Sequence, residues 1–277
     1  MPLHALWLPL FDELAEPRQV VDLAASAEAQ GWDGFFVWDH IRWHEPVRAT
    51  ADPWIVLAAI ASATEAIRLG PMVTPVARRR PAKLARETAT LDHLSGGRLI
   101  MGVGLGSDRF GGEFSRFGEE ERDVVRAAMT DESLEILHAA WRGEAVRHRG
   151  AHYAVDDVTF LPRPVQRPSV PVWIAGFPGK PKPMRRAAAH DGYFPVNLDN
   201  VDQLAEAVEL VHRYRGPNAA SFDVAVEIEP GADPAPYQAA GATWCLTGFG
   251  PGATTDRVRG VLRAGPPTGT SVGQRSQ

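Results

Sequence analysis

The chain has a single cysteine, Cys245, among 277 residues. A disulfide framework within the chain is excluded, and a reducing cytoplasm is the expected compartment. Cys245 lies in the strand-like run Ala242 to Leu246, where a small buried hydrophobe is expected rather than a nucleophile. Long apolar runs are missing as well. None approaches the roughly 20 residues of a membrane span, so no membrane partner is expected. Ala5 to Phe11 is apolar but lacks a basic flank and runs into Asp12-Glu13, which is not the pattern of a signal peptide. Excess positive charge is also absent. The net charge is −5, and a nucleic-acid partner is not expected. No nucleophile elbow G-x-S-x-G occurs, and no phosphate loop G-x-x-x-x-G-K-[ST]. Gly102, Gly104 and Gly106 imitate a dinucleotide fingerprint, but Ser107 and Arg109 break both registers. The pairs His40/His44 and His148/His152 have helical spacing without a helix to carry it, so no metal site is expected.

What the chain has is alternation. Strand signals fall at Leu3–Leu8, Gly34–Trp38, Arg68–Thr74, Leu99–Val103, Val170–Ala175, Gly192–Val196, Phe222–Ile228 and Ala242–Leu246. Between them lie amphipathic helices with explicit start signals, such as Pro17, Asp52-Pro53 and Pro81. Asp123 to Trp141 is the longest. Strands alternating with helices indicate a parallel sheet, and eight of them indicate closure. The expectation is α/β: a (β/α)8 TIM-type barrel in one domain over 1–265. Residues 146–163 break the alternation and read as a β-hairpin insertion with its turn at Asp156-Asp157. Residues 266–277 have no periodicity and read as a flexible tail.

In such a barrel the site lies at the carboxyl ends of the strands. That rule selects Trp38, Asp39 and His40 after strand two, and Met72, Val73 and Thr74 at the tip of strand three. It also selects Gly104 and Gly106 after strand four, and Gly176, Phe177, Gly179 and Lys180 after strand five. His40 is the catalytic candidate, because imidazole exchanges protons near neutral pH. A histidine holding a loop by one hydrogen bond is the competing reading. Asp39 is its neighbour in sequence, but adjacent strand residues face opposite ways. Gly176 to Met184 offers an anion site, with Pro183 in the first turn of a short helix and Lys180 and Lys182 adding charge. Arg78-Arg79-Arg80 reads as a solvated loop or a second anion site. Trp38, Trp43 and Phe110 are candidates for a substrate pocket. Trp7, Trp32, Trp54, Trp141, Trp173 and Trp244 are expected in packing.

The run Pro81 to Gly106 reads as a helix, a Ser95-Gly96-Gly97 stop and a buried strand ending in glycines. Its wording, with Trp38-Asp39-His40, Leu69 to Pro75 and Pro168-x-x-Pro171-Val172, resembles the luciferase-like monooxygenase family of flavin- and deazaflavin-dependent oxidoreductases. The resemblance covers roughly residues 3 to 265. It implies a tricyclic ring over Met72, Val73 and Thr74, a cis peptide at Met72-Val73, and a phosphate-bearing tail near Gly104, Gly106, Gly176, Phe177, Gly179 and Lys180. It implies His40 near the ring edge. It also implies one of two chemistries on a small organic substrate: a monooxygenase using reduced FMN and oxygen, served by a flavin reductase, or hydride transfer with the deazaflavin coenzyme F420. FMN-binding members often place an arginine where this chain has Leu105. A homodimer is within expectation. The alternatives are a non-catalytic flavin-binding protein and a phosphate-binding barrel aldolase or isomerase.

Overall fold

The computed structural model describes residues 2–216 and 221–267. The strands and helices follow in order β1 (Leu3–Leu8), α1 (Pro17–Ala29), β2 (Gly34–Val37), α2 (Pro53–Ala63), β3 (Arg68–Pro71) and β4 (Thr74–Pro75). Next come α3 (Pro81–Leu94), β5 (Met101–Gly104), α4 (Asp123–Arg142), β6 (Ala145–Arg149), β7 (Ala154–Thr159) and β8 (Val172–Gly176). The chain continues through α5 (Pro181–Ala188), β9 (Gly192–Pro195), α6 (Val201–Arg215), β10 (Asp223–Ile228), α7 (Ala235–Ala239), β11 (Trp244–Gly248) and α8 (Thr255–Ala264).

One sheet of nine segments runs β3-β2-β1-β11-β10-β9-β8-β5-β4, parallel throughout. β3 and β4 are one strand interrupted at Met72-Val73, so the segments fill the eight expected positions. The two ends of the sheet meet through a parallel bridge between Leu69 and Leu99. The Ile100 N–H donates to the Leu69 carbonyl at 2.9 Å, closing the barrel.

Local chemistry sets the elements. Asp52 caps α2 by accepting from the Ile55 N–H at 3.0 Å, with Pro53 in the first turn. Gly96 (φ 63°) and Gly97 (φ 85°) turn the chain at the end of α3, a backbone that side chains rarely adopt. Arg98, buried just beyond, donates to the carbonyls of Ala61, Thr64 and Ile67, satisfying orphan groups at the end of α2.

The strands bury both faces. On β10, Val224, Val226 and Ile228 pack outward on the helices, while Ala225 joins an interior cluster with Phe36, Met72, Trp173, Trp244 and Leu246. At the carboxyl end this interior is capped by Trp7, Val73, Ala175 and Val196, which are only half-buried. Trp7, expected in packing, therefore stands at the barrel mouth.

The insertion is the hairpin β6–β7, but its turn lies at Gly150–Tyr153. The Glu132 carboxylate on α4 accepts from the N–H groups of Ala151, His152 and Tyr153 there. Asp156 and Asp157 lie inside β7 at a register shift, with Asp157 at φ 55°. Aspartate tolerates that conformation, so the pair marks a bulge rather than the turn. Most of the tail reading lies outside the described residues.

Candidate functional site

His40 leaves β2 at the mouth, and its Nδ1 lies 2.7 Å from Glu113 Oε2. Glu113 is fully buried in the loop after β5. Burial pushes its pKa up, but the His40 hydrogen bond and charge and the Arg78 guanidinium outweigh this, and the net shift is downward. An ionised carboxylate only accepts, so Nδ1 carries the proton and Nε2 is the free ring nitrogen. The imidazole is packed among Phe11, Trp38 and Trp43, the last edge-on at 4.7 Å. Its side chain keeps 21% of its surface exposed, enough for contact with a ligand.

Beneath His40 lies an ion network. Arg78 donates from Nη1 to Glu113 at 2.8 Å and from Nη2 to Asp39 at 2.9 Å. Arg79 donates to both oxygens of Asp39, at 2.9 and 2.7 Å. Thr74 and Trp54 complete the shell of Asp39, at 2.8 and 3.3 Å. Burial raises the Asp39 pKa, but Arg79 and then Arg78 hold it below the ordinary carboxylate value. The arginines are therefore neither a solvated loop nor an anion site. They neutralise buried carboxylates, and only Arg80 is exposed. Asp39 and His40 follow the end of β2 and take different direct partners within one network, Asp39 the arginines and His40 Glu113.

The loops after β2 and β5 close on each other above this network. Trp43 stacks on Phe110 with centroids 4.7 Å apart and planes at 4°, while Phe110 stays 41% exposed. Arg42 bonds the Gly111 carbonyl, and the Ile41 N–H donates to Glu113 at 2.7 Å. Trp38, Trp43 and Phe110 are thus brought together beside His40.

The peptide between Met72 and Val73 is cis. The Met72 carbonyl accepts from Trp7 Nε1 at 2.6 Å, tying strand three to strand one across the mouth. Thr74 is committed to Asp39, so it faces away from the mouth. The glycines divide. A Cβ at Gly104 would come within 2.6 Å of Val73 Cγ2, and one at Gly176 within 2.5 Å of Pro183 Cβ. Gly106 is similarly hemmed by Phe114 and Pro75. These three accommodate protein. Gly179 (φ 71°) opens to free space, beside exposed Phe177 and Lys180.

The anion site after β8 changes character. α5 begins at Pro181, and Pro183 lies in its first turn as expected. Both prolines sit in its first turn and lack an N–H, leaving the Lys182 N–H alone there. Any anion would rely on the Lys180 and Lys182 side chains.

The strand-end rule also selects the carboxyl end of β10. Glu227 shares the inward face with Ala225 and lies over Gly248, where a Cβ would come within 2.5 Å of Glu227 Oε1. Glu227 is exposed to the open mouth, but partial desolvation by the surrounding walls, then the Glu229 charge, raises its pKa from 4.5 to about 7. Across that window the folded state binds the proton more tightly, so stability falls as pH rises from about 4.5 to about 7. Glu227→Gln is expected to flatten this fall in a plot of Tm against pH. A profile matching wild type would show that Glu227 is not the group responsible.

A closed barrel of eight parallel strand positions joined mostly by helices belongs to the (β/α)8 class. Within that class, residues 8–244 match the luciferase-like monooxygenase family, and the chain belongs to it. Among similar proteins is an F420-dependent glucose-6-phosphate dehydrogenase of Kineococcus radiotolerans, 31% identical over 80% of this chain and 66% of that protein. The corresponding enzyme of Nakamurella multipartita is 35% identical over 57% of this chain and 46% of its own length. The chain thus spans about half to two thirds of these curated relatives. Among solved structures, monooxygenase RslO1 from Streptomyces bottropensis superimposes with TM-score 0.77 at 21% identity, covering 94% of this chain and 96% of that one. The coenzyme F420-dependent tetrahydromethanopterin reductase of Methanopyrus kandleri gives 0.75 at 18% identity, again over 94% and 96%. At such identities the likeness concerns the fold. Among the described residues, no cluster of metal-ligating side chains occurs and no helix is long and apolar enough to cross a membrane.

Proposed function

We propose that this protein is an oxidoreductase that uses the deazaflavin coenzyme F420 on a small organic substrate at the barrel mouth. The observation that carries it is the His40–Glu113 pair at the edge of a half-exposed apolar floor made by Trp7, Val73, Ala175 and Val196. Such a floor suits a flat tricyclic ring, which would cover apolar surface that the fold leaves open. Gly179, Lys180 and Lys182 are placed to hold the tail. The bound coenzyme supplies hydride acceptance or donation. This chain's residues do the rest. Glu113 fixes the tautomer of His40, and the free Nε2 takes or gives the proton at the substrate oxygen. Trp38, Trp43 and Phe110 wall the pocket and exclude water.

The named relatives support F420 over FMN, and Leu105 supports it too, standing where FMN-binding members often have arginine. Titration of the purified protein with F420 and FMN side by side tests the choice. F420 is expected to bind at least about tenfold tighter, about 1.4 kcal/mol. An FMN preference would instead favour the monooxygenase reading, with oxygen as co-substrate and a separate flavin reductase. Binding of neither would favour an aldolase or isomerase. Binding without turnover on any substrate would favour a carrier.

A further inference from the structure

Glu227 stands alone in its setting. The other inward-facing side chains at the strand tips are apolar or absent: Trp7, Val73, Ala175 and Val196, with Trp38 against Trp7 and glycine at 104 and 248. Among the described residues Glu227 is the charged side chain on this floor, and its carboxylate has no hydrogen-bond donor. Around the barrel the order is β1, β2, β3/β4, β5, β8, β9, β10, β11, which puts β10 directly across the mouth from Met72-Val73. A ring lying over the Met72-Val73 step therefore leaves the β10 side for the substrate. Exposed at the mouth and without a donor of its own, this carboxylate is open to a ligand, and acids in such clefts concentrate at functional sites.

We propose that Glu227 is the specificity-determining residue of the substrate half of the mouth, selecting a molecule that presents a hydroxyl or an amine and rejecting anions such as phosphate esters and carboxylates. This deepens the proposed function and rests on its placement of the ring. Protonated, Glu227 donates to a hydroxyl oxygen. Ionised, it accepts from a hydroxyl or pairs with an ammonium. An anionic headgroup would meet Glu227, with Glu229 two residues on, and like charges repel on a floor of low polarity. Gly248 is part of the device, because only a residue without Cβ leaves room for the carboxylate above it.

A matched series tests this: cyclohexanol, cyclohexylamine, cyclohexyl phosphate and cyclohexanecarboxylate, titrated calorimetrically into protein with and without F420. Wild type is expected to bind the alcohol and the amine at least about tenfold tighter than the two anions, about 1.4 kcal/mol. Glu227→Gln should abolish the preference for the amine. Gly248→Ala should weaken that preference while retaining the acid, by displacing the carboxylate. Both variants should bind F420 within about threefold of wild type, about 0.7 kcal/mol. Equal or tighter binding of the anions, binding of none of the four, or a preference that survives Glu227→Gln would overturn the proposal. So would loss of F420 affinity in Glu227→Gln, which would place the acid on the coenzyme side. If wild type fails to bind F420, the proposed function fails, while the series in the coenzyme-free protein still reports on Glu227.

Discussion

His40→Ala is expected to lower turnover about 10²- to 10⁴-fold, the range typical of a positioned general acid–base group. F420 affinity should stay within about tenfold, about 1.4 kcal/mol, because the pocket walls and the tail residues are untouched. The split follows from geometry. His40 is anchored through Nδ1 by Glu113 and leaves Nε2 for the substrate. Truncation leaves a hole lined by Phe11, Trp38 and Trp43, and added imidazole should restore part of the turnover by refilling it. Glu113→Gln keeps a hydrogen-bonding partner but removes the charge that fixes the tautomer. It should cost turnover with an altered pH profile, and imidazole should not rescue it. Wild-type turnover in His40→Ala would make the histidine a loop anchor. A collapse of affinity alone would make it a binding residue.

The barrel was readable because its signals are local and repeated. Pro17, Pro53 and Pro81 each sit in the first turn of the helix they announce, with Asp52 capping α2, and each of the eight strand signals has its strand. Asp156-Asp157 reads as a turn in the sequence, but Asp-Asp suits a bulge as well, and the structure puts a bulge there. The deciding interaction, Glu132 accepting from the N–H groups of Ala151 to Tyr153, joins residues far apart in sequence. His40 followed from the strand-end rule, but Glu113 did not. It lies 73 residues away in an irregular loop, and no periodicity marks it. The arginines at 78 and 79 looked solvated because charge runs usually are. Only the fold brings Asp39 and Glu113 beneath them. Glu227 carries a legible signal, an acid on the same alternate face as Ala225 in Asp223-Val-Ala-Val-Glu-Ile, and the same rule selects it when extended to β10.

Asp39→Ala is expected to destabilise the fold by about 3 to 5 kcal/mol, the usual consequence of removing one partner from a buried ion pair. Asp39 is 1% exposed, and the side chains of Arg78 and Arg79 are 4% and 17% exposed, so water cannot replace the lost carboxylate. Glu113 still neutralises Arg78 through Nη1. The uncompensated charge therefore falls on Arg79, whose remaining neighbour is the face of Trp54 at 5.5 Å. Trp54 Nε1 and Thr74 Oγ1 lose their acceptor as well. Pairing the change with Arg79→Met should recover much of the loss, because it removes the stranded charge rather than restoring a contact. The pH dependence has a definite sign. The folded-state pKa of Asp39 lies below its ordinary 3.8, so its contribution is complete above that value and fades as pH falls through the lowered one. Wild type and variant should therefore converge in stability at strongly acidic pH and diverge above it. Urea midpoints across that range measure the gap. A gap under about 1 kcal/mol at neutral pH would place Asp39 among weak surface-type pairs, and the platform beneath His40 would then owe its rigidity to Glu113 and Arg78.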